Sequence, residues 1–406
     1  MRKIHPRELR VATRGTGREI NRQIVLDLIR MHQPISRADL ARRMGTRRGA
    51  VTLIVNELLE DGLVYEGATG EASRGRKPTF LYVDSRGRCA VAVDIRATRS
   101  FLMVTDLVGR QQVEISSFAT DRDPKRFVSD LAKRIKRVLA EHHDVGRCAG
   151  IGVVVPGMVD REGERVLHAP ALGWRDEPLR GPLSAATGLP VQIENSGKAC
   201  ALAIMWSARG DAHPPEDLVF VSVSDGVGVG VTVRGEILRG RHNVAGEYGH
   251  VPLSIDGPPC ACGARGCWES YVSNLATLAR YFGRPLAPGK PIPSEAASVT
   301  VDDLIVRARG GDARALAALQ STARYLGLGL ASIVNTLDPD RIYIGGEITT
   351  AWDLIEPEVR AAMAERALLA SHGDTEMVVV AAEEYPRLRG AAALIGAPAF
   401  SPSVVA

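Results

Sequence analysis

Between Gly246 and Glu269 the chain reads GEYGHVPLSIDGPPCACGARGCWE, with three cysteines, one histidine and two glutamates in a stretch punctuated by glycine and proline. Cys260 and Cys262 are separated by one residue, and Gly263, Ala264, Arg265 and Gly266 carry the chain round to Cys267. So tight a loop can aim three thiolates at one point, with His250, ten residues before Cys260, as a fourth ligand. Three sulfurs and an imidazole form a closed tetrahedral set for Zn2+. That is the structural type of zinc site, because no coordination position is left open for water. The other cysteines, Cys89, Cys148 and Cys200, stand in apolar contexts and read as core residues.

The chain that must position this loop has 406 residues, enough for two or three domains. Its hydrophobic fraction of 45% and charged fraction of 24% are those of a soluble globular protein. No apolar run approaches the roughly 18 residues of a membrane span. The basic start MRKIHPRELR has no apolar stretch behind it, so no secretory signal is expected. The expected compartment is cytoplasmic, where the cysteines stay reduced. The charge is unevenly spread. Residues 1–88 hold 18 Lys/Arg against 10 Asp/Glu, whereas the remainder holds 33 against 37. A basic module ahead of a mildly acidic one suggests a nucleic-acid reader joined to a sensing or enzymatic domain.

In that basic module, Ile20, Ile24 and Leu28, with Val25 and Ile29 beside them, predict an amphipathic helix over Arg18–Met31, ended by Pro34. Ser36 and Asp39 predict a capping box at the start of a second helix, and Gly45 its end. Thr46 reads as the N-cap of a third helix, whose buried stripe is Val51, Ile54, Val55, Leu58 and Leu59. Together these form a helix-turn-helix. The N-terminal turn of the third helix carries Thr46, Arg47, Arg48 and Thr52, at the end that meets base edges in the major groove of double-stranded DNA. Leu63–Glu66 and Thr79–Val83 predict a hairpin with a glycine-rich tip. This is a wing whose Arg74 and Arg76 suit a narrow minor groove. The winged module spans 1–86, and 87–406 is the second domain.

From residue 87 onward, strands alternate with helices in two successive groups, the pattern of a two-lobed α/β domain with a cleft between the lobes. The expected elements include strands Cys89–Ile95, Ala149–Val155 and Leu218–Val223 and helices Gly197–Arg209 and Ala313–Leu337. The weak similarity between the two groups does not by itself establish a repeat.

Several motifs here resemble the ROK family (repressors, open reading frames and kinases), in the branch that fuses a winged helix-turn-helix to a sugar-kinase-like domain. They are GRKP in the wing, PGMVD at 156–160, APALGW at 169–174 and IENS at 193–196. DGVGVG at 225–230, GEYGH at 246–250, CACGARGCWE at 260–269 and IGGE at 344–347 complete the set. The resemblance implies an actin-like, hexokinase-like fold with a sugar in the interlobe cleft. It also implies sugar contacts from Asn195, Glu247, His250 and Glu269, and zinc held by His250, Cys260, Cys262 and Cys267.

Two departures from the kinase members bear on function. The aspartate that serves them as general base after the IEN asparagine is Ser196 here, and a hydroxyl is not basic near neutral pH. Their glycine-bearing phosphate turn is Asp94-Ile95-Arg96-Ala97-Thr98-Arg99 here, without glycine. The expected function is a sugar-responsive transcriptional regulator, a repressor of carbohydrate-metabolism genes, that binds a sugar effector without phosphorylating it. A homodimer, or a tetramer, would read a pseudopalindromic operator. The alternative is a bifunctional ATP-dependent sugar kinase that also binds DNA.

Overall fold

The structure, a computed structural model, describes residues 14–69, 79–84, 87–208, 215–286, 298–368 and 375–399. Arg74 and Arg76 of the wing tip lie outside the described residues.

The first module holds helices α1 (Arg14–His32), α2 (Arg37–Arg43) and α3 (Arg48–Glu60) and strands β1 (Ile35–Ser36), β2 (Val64–Thr69) and β3 (Thr79–Val83). The strands pair in the order β1-β3-β2, giving the winged helix-turn-helix the third strand that the sequence reading lacked. The capping box is present, with Ser36 Oγ accepting the Asp39 N–H and the Asp39 carboxylate accepting the Ser36 N–H. Two expectations need correction. The cap of α3 is Arg47, with no side-chain cap bond, because the chain leaves the Gly45 turn one residue later than a Thr46 cap requires. In α1 the buried apolar residues are Val25, Leu26 and Ile29, whereas Ile20 and Ile24 are exposed. The face chosen is the one covered by α3 and by the second domain, so the helix is rotated from the sequence-derived stripe.

The second domain opens with β4 (Arg88–Asp94), β5 (Arg99–Asp106), β6 (Ser116–Ala119) and α4 (Pro124–Glu141). Next come β7 (Arg147–Val155), β8 (Met158–Val159), β9 (Arg165–Ala169), β10 (Trp174–Pro178), α5 (Arg180–Thr187), β11 (Val191–Asn195) and α6 (Ser196–Ala208). Asp123 caps α4 by accepting from the N–H groups of Lys125 and Arg126, with Pro124 at the first helical position, where its missing N–H is not needed. The second lobe holds β12 (Leu218–Val223), β13 (Val227–Val233) and β14 (Glu236–Ile237). It continues through α7 (Glu269–Val272), α8 (Asn274–Phe282), α9 (Val301–Arg309), α10 (Ala313–Leu337), β15 (Arg341–Gly345), α11 (Trp352–Arg366) and β16 (Glu376–Val379). A last helix, α12 (Pro386–Ala399), returns to pack on β4 and β7 of the first lobe.

The two large sheets have the orders β11-β7-β4-β5-β6 and β14-β13-β12-β15-β16. In each, the first three strands in sequence form an antiparallel meander and the last two add in parallel on the far side of the first. The lobes are therefore two copies of one topology, which the weak sequence similarity did not establish. Parallel strands covered on both faces need near-continuous apolar runs, and β12 (LVFVSV) is buried along its whole length. Asp94, Val155, Asn195, Val223 and Gly345 end their strands toward the cleft, on the side where open α/β sheets bind ligands.

Candidate effector cleft and metal knuckle

The knuckle forms from the backbone upward. Cys260 N–H bonds to the Ala264 carbonyl at 2.9 Å, Gly266 N–H to the Pro258 carbonyl at 2.8 Å, and Pro259 bridges Arg265. Trp268, 1% exposed, anchors the loop in the second lobe and donates from Nε1 to the Tyr325 carbonyl of α10 at 2.8 Å. One ligand atom from each of His250, Cys260, Cys262 and Cys267 lies within 4.8 Å of all the others. Two edges of this set are His250 Nδ1 to Cys260 Sγ at 3.6 Å and Cys262 Sγ to Cys267 Sγ at 3.7 Å. Tetrahedral zinc with sulfur bonds near 2.3 Å has edges of about 3.8 Å, so the donor set fits such an ion. Burial pushes the Cys260 thiol up.

The structure brings all four expected sugar contacts, Asn195, Glu247, His250 and Glu269, to one cleft, together with Ser196, Arg96 and Arg387. Two of them already have scaffold duties. Asn195 Oδ1 caps α6 by accepting from Gly197 N–H at 2.8 Å and Lys198 N–H at 3.2 Å, while Nδ2 donates to the Gly157 carbonyl at 2.7 Å. One amide N–H remains for a ligand. Glu269 Oε2 accepts the Val227 N–H, and its Oε1 lies 3.5 Å from Cys260 Sγ. Burial raises the Glu247 pKa, with Lys198 and His250 acting against that rise.

Beneath the cleft lies a polar brace that the sequence reading missed. Lys198, 2% exposed, donates from Nζ to the Asn243 carbonyl at 2.7 Å. Asn243 Nδ2 donates to the carbonyls of Val159 and Asp160, and Arg239 pairs with the buried Glu194, whose other oxygen accepts the Asn195 N–H. The brace joins the 156–160 turn of one lobe to the 239–247 loop of the other. A lone lysine in the apolar run GKACALAIM was the available signal.

In the turn after β4, Arg96 lies folded against its own lobe. Its Nε donates to Asp94 at 2.7 Å, its guanidinium lies 4.6 Å from the Phe101 ring centroid, and Glu347 of the other lobe is 3.9 Å away. Two glycines of the DGVGVG and IGGE motifs, Gly230 and Gly346, have packing reasons. A Cβ on Gly230 would overlap the Gly197 carbonyl, and one on Gly346 the Val223 carbonyl.

On the reader, Thr46, Arg47 and Arg48 are exposed at the start of α3, and Thr52 Oγ1 donates to the Arg48 carbonyl at 2.9 Å. Leu53, not singled out from sequence, is 67% exposed on the same helix.

Comparison with known proteins agrees with this architecture. The ROK family signature spans residues 90–397, and the MarR family signature spans 24–75. The chain belongs to the ROK family, among its transcriptional regulators with an N-terminal winged helix-turn-helix. It is 29% identical over 363 residues to the xylose repressor of Bacillus spizizenii, covering 88% of this chain and 89% of that one. A solved ROK family transcriptional regulator, described as a homologue of the E. coli Mlc protein, superposes with a TM-score of 0.77 at 28% identity, over 94% of this chain and 96% of that one. A ROK glucokinase from Streptomyces griseus, solved with glucose and AMPPNP, gives 0.63 at 27% identity over 75% of this chain and 98% of its own. Among the described residues no helix is long and apolar enough to cross a membrane.

Proposed function

We propose that this regulator is a sugar-responsive repressor that binds its effector in the interlobe cleft without phosphorylating it. The observation that carries this reading is Ser196. It lies in the cleft beside Asn195, where phosphoryl transfer needs a carboxylate to take the sugar proton. Arg96 supports it by filling the turn that a nucleotide phosphate would need as bare backbone. Asn195, Glu247, His250 and Glu269 bond the sugar hydroxyls, the carboxylates through the stronger charge-assisted bonds. The knuckle of His250, Cys260, Cys262 and Cys267 holds one Zn2+, which cross-links the loop and has no role in chemistry. The winged module, 1–86, reads double-stranded operator DNA through Thr46, Arg47, Arg48 and Thr52, with Arg74 and Arg76 of the wing in the minor groove. Leu53 adds apolar contact to a thymine methyl. The domain over 87–406 brings two such modules together in a cytoplasmic homodimer or a higher assembly.

The relatives named xylose repressors make D-xylose the first sugar to test. A duplex selected by the protein from a random library should be bound in the absence of sugar and released by D-xylose or another monosaccharide. No sugar should be phosphorylated with ATP. Turnover of any hexose, pentose or amino sugar above a protein-free blank would favour the bifunctional kinase instead.

A further inference from the structure

We infer that Trp206 is a positioning residue for the DNA reader, set by the effector cleft through helix α6. Its regulatory meaning rests on the sugar-responsive function proposed above.

Helix α6 has one end in each site. Its N-terminus is capped by Asn195 Oδ1 in the cleft, and the same side chain is tied by Nδ2 to the Gly157 carbonyl of the first lobe. Near its other end, about 15 Å along a helix rising about 1.5 Å per residue, Trp206 is 8% exposed and shares a core with Val25, Leu26 and Ile29 of α1. The Arg30 guanidinium of α1 lies 4.2 Å from the centroid of the Trp206 ring. The reader thus sits on the far end of the helix whose near end meets the effector.

The shaft between those ends has little give. Ala199, Cys200 and Ala201 are fully buried. Close backbone approach clamps it on two sides, since a Cβ on Gly230 of β13 would overlap the Gly197 carbonyl and one on Gly390 of α12 the Ala199 carbonyl. Where backbone meets backbone no flexible side chain can absorb a shift, so displacement of the N-terminus is passed on by the helix as a body. Helix α12 repeats the arrangement, with Arg387 lining the cleft and Ala393 and Ala397 in the core beneath the reader. The metal knuckle, by contrast, contributes no residue to that core among the described residues.

A double-mutant cycle on the full-length chain tests this without requiring a sugar. Asn195→Asp keeps the acceptor that caps α6 and removes the donor to Gly157, so the helix start is released without losing its cap. We expect it to change affinity for a library-selected duplex at least about fivefold, the lower end of typical coupling between sites. In a Trp206→Ala background that factor should fall to about one, and in Trp206→Phe, which keeps a ring for Arg30, it should return. Trp206→Leu replaces the alanine variant if the latter fails to fold by circular dichroism. An Asn195→Asp effect that is absent in the otherwise native chain, or equal in all backgrounds, overturns the assignment. A second arm titrates D-xylose and D-glucose. Sugar affinity should be the same with and without the Trp206 substitution, while release of DNA by sugar is lost. If neither sugar binds the native chain, the effector proposal fails for those sugars, and the cycle still decides the role of Trp206.

Discussion

The carboxylate of Glu269 accepts the backbone N–H of Val227 at 2.9 Å, which ties the cysteine knuckle to the glycine turn between β12 and β13. The residue that follows the knuckle by two positions therefore holds a wall of the cleft as well as facing it. Removing zinc with a chelator, or replacing Cys262 by Ser, should release His250 and Glu269 together. We expect one zinc per chain by elemental analysis, a lowered Tm on stripping, and sugar affinity weakened about tenfold or more, consistent with metal binding being part of the folding free energy. Full sugar affinity in metal-free protein would separate the knuckle from the cleft.

Glu247, the proposed effector contact, sets a half-buried carboxylate in the cleft. Hydrogen bonds to charged groups contribute about 1.5–3 kcal/mol, so Glu247→Ala should weaken sugar binding by roughly 10- to 150-fold in calorimetry. An unchanged affinity would place the sugar elsewhere.

Restoring a base should not restore a kinase. Ser196→Asp supplies a carboxylate, whose contribution elsewhere is about 10²–10⁴-fold, yet Arg96 still fills the turn after β4 that we propose closes off a nucleotide phosphate. We expect no ATP-dependent phosphorylation from this variant in a coupled assay. Robust turnover from it alone would show that Arg96 is no obstacle.

For the reader, replacing Arg47 and Arg48 by Ala should weaken operator binding and flatten its salt dependence by about 0.9 in log–log slope for each phosphate no longer neutralised. Uracil in place of thymine in the selected duplex should weaken the native protein at the position facing Leu53 and leave Leu53→Ala indifferent. Equal sensitivity in both would remove Leu53 from base reading.

The capping box of α2 has a pH signature. The Ser36 hydroxyl, with the Ser36 N–H and the nearby arginines adding to it, holds Asp39 below its ordinary 3.8. Because the folded pKa is the lower one, this stability is present above about pH 4 and lost as pH falls through the folded value. Ser36→Ala should cost about 1 kcal/mol near neutral pH and raise the Asp39 titration midpoint seen by NMR. An unmoved midpoint would assign the shift to the arginines.

Local signals were readable where one segment contains all the partners. Ser36 and Asp39, the boundaries of Ala313–Leu337 and the gathering of His250, Cys260, Cys262 and Cys267 are set by residues close in sequence, and each arrangement is found as expected. What depends on distant partners was not readable. The orientation of α1 is decided by Trp206, Ala393 and Ala397, far along the chain, so Ile20 and Ile24 were assigned to the wrong face. Asn195 was legible as a cleft residue through its motif, but its ties to Gly157 and to the start of α6 needed coordinates. The brace through Lys198 and Asn243 joins residues 45 positions apart and leaves only an isolated lysine as its trace.

Helix α12 packs against the first lobe and completes the core under α1. During synthesis the DNA reader leaves the ribosome long before the helix that finishes its seat, Pro386–Ala399. Until then the reader lacks Ala393 and Ala397, which belong to the core it shares with the sensor. A nascent chain, or one cut before Pro386, is expected to carry a DNA-binding head without its complete seat on the sensor.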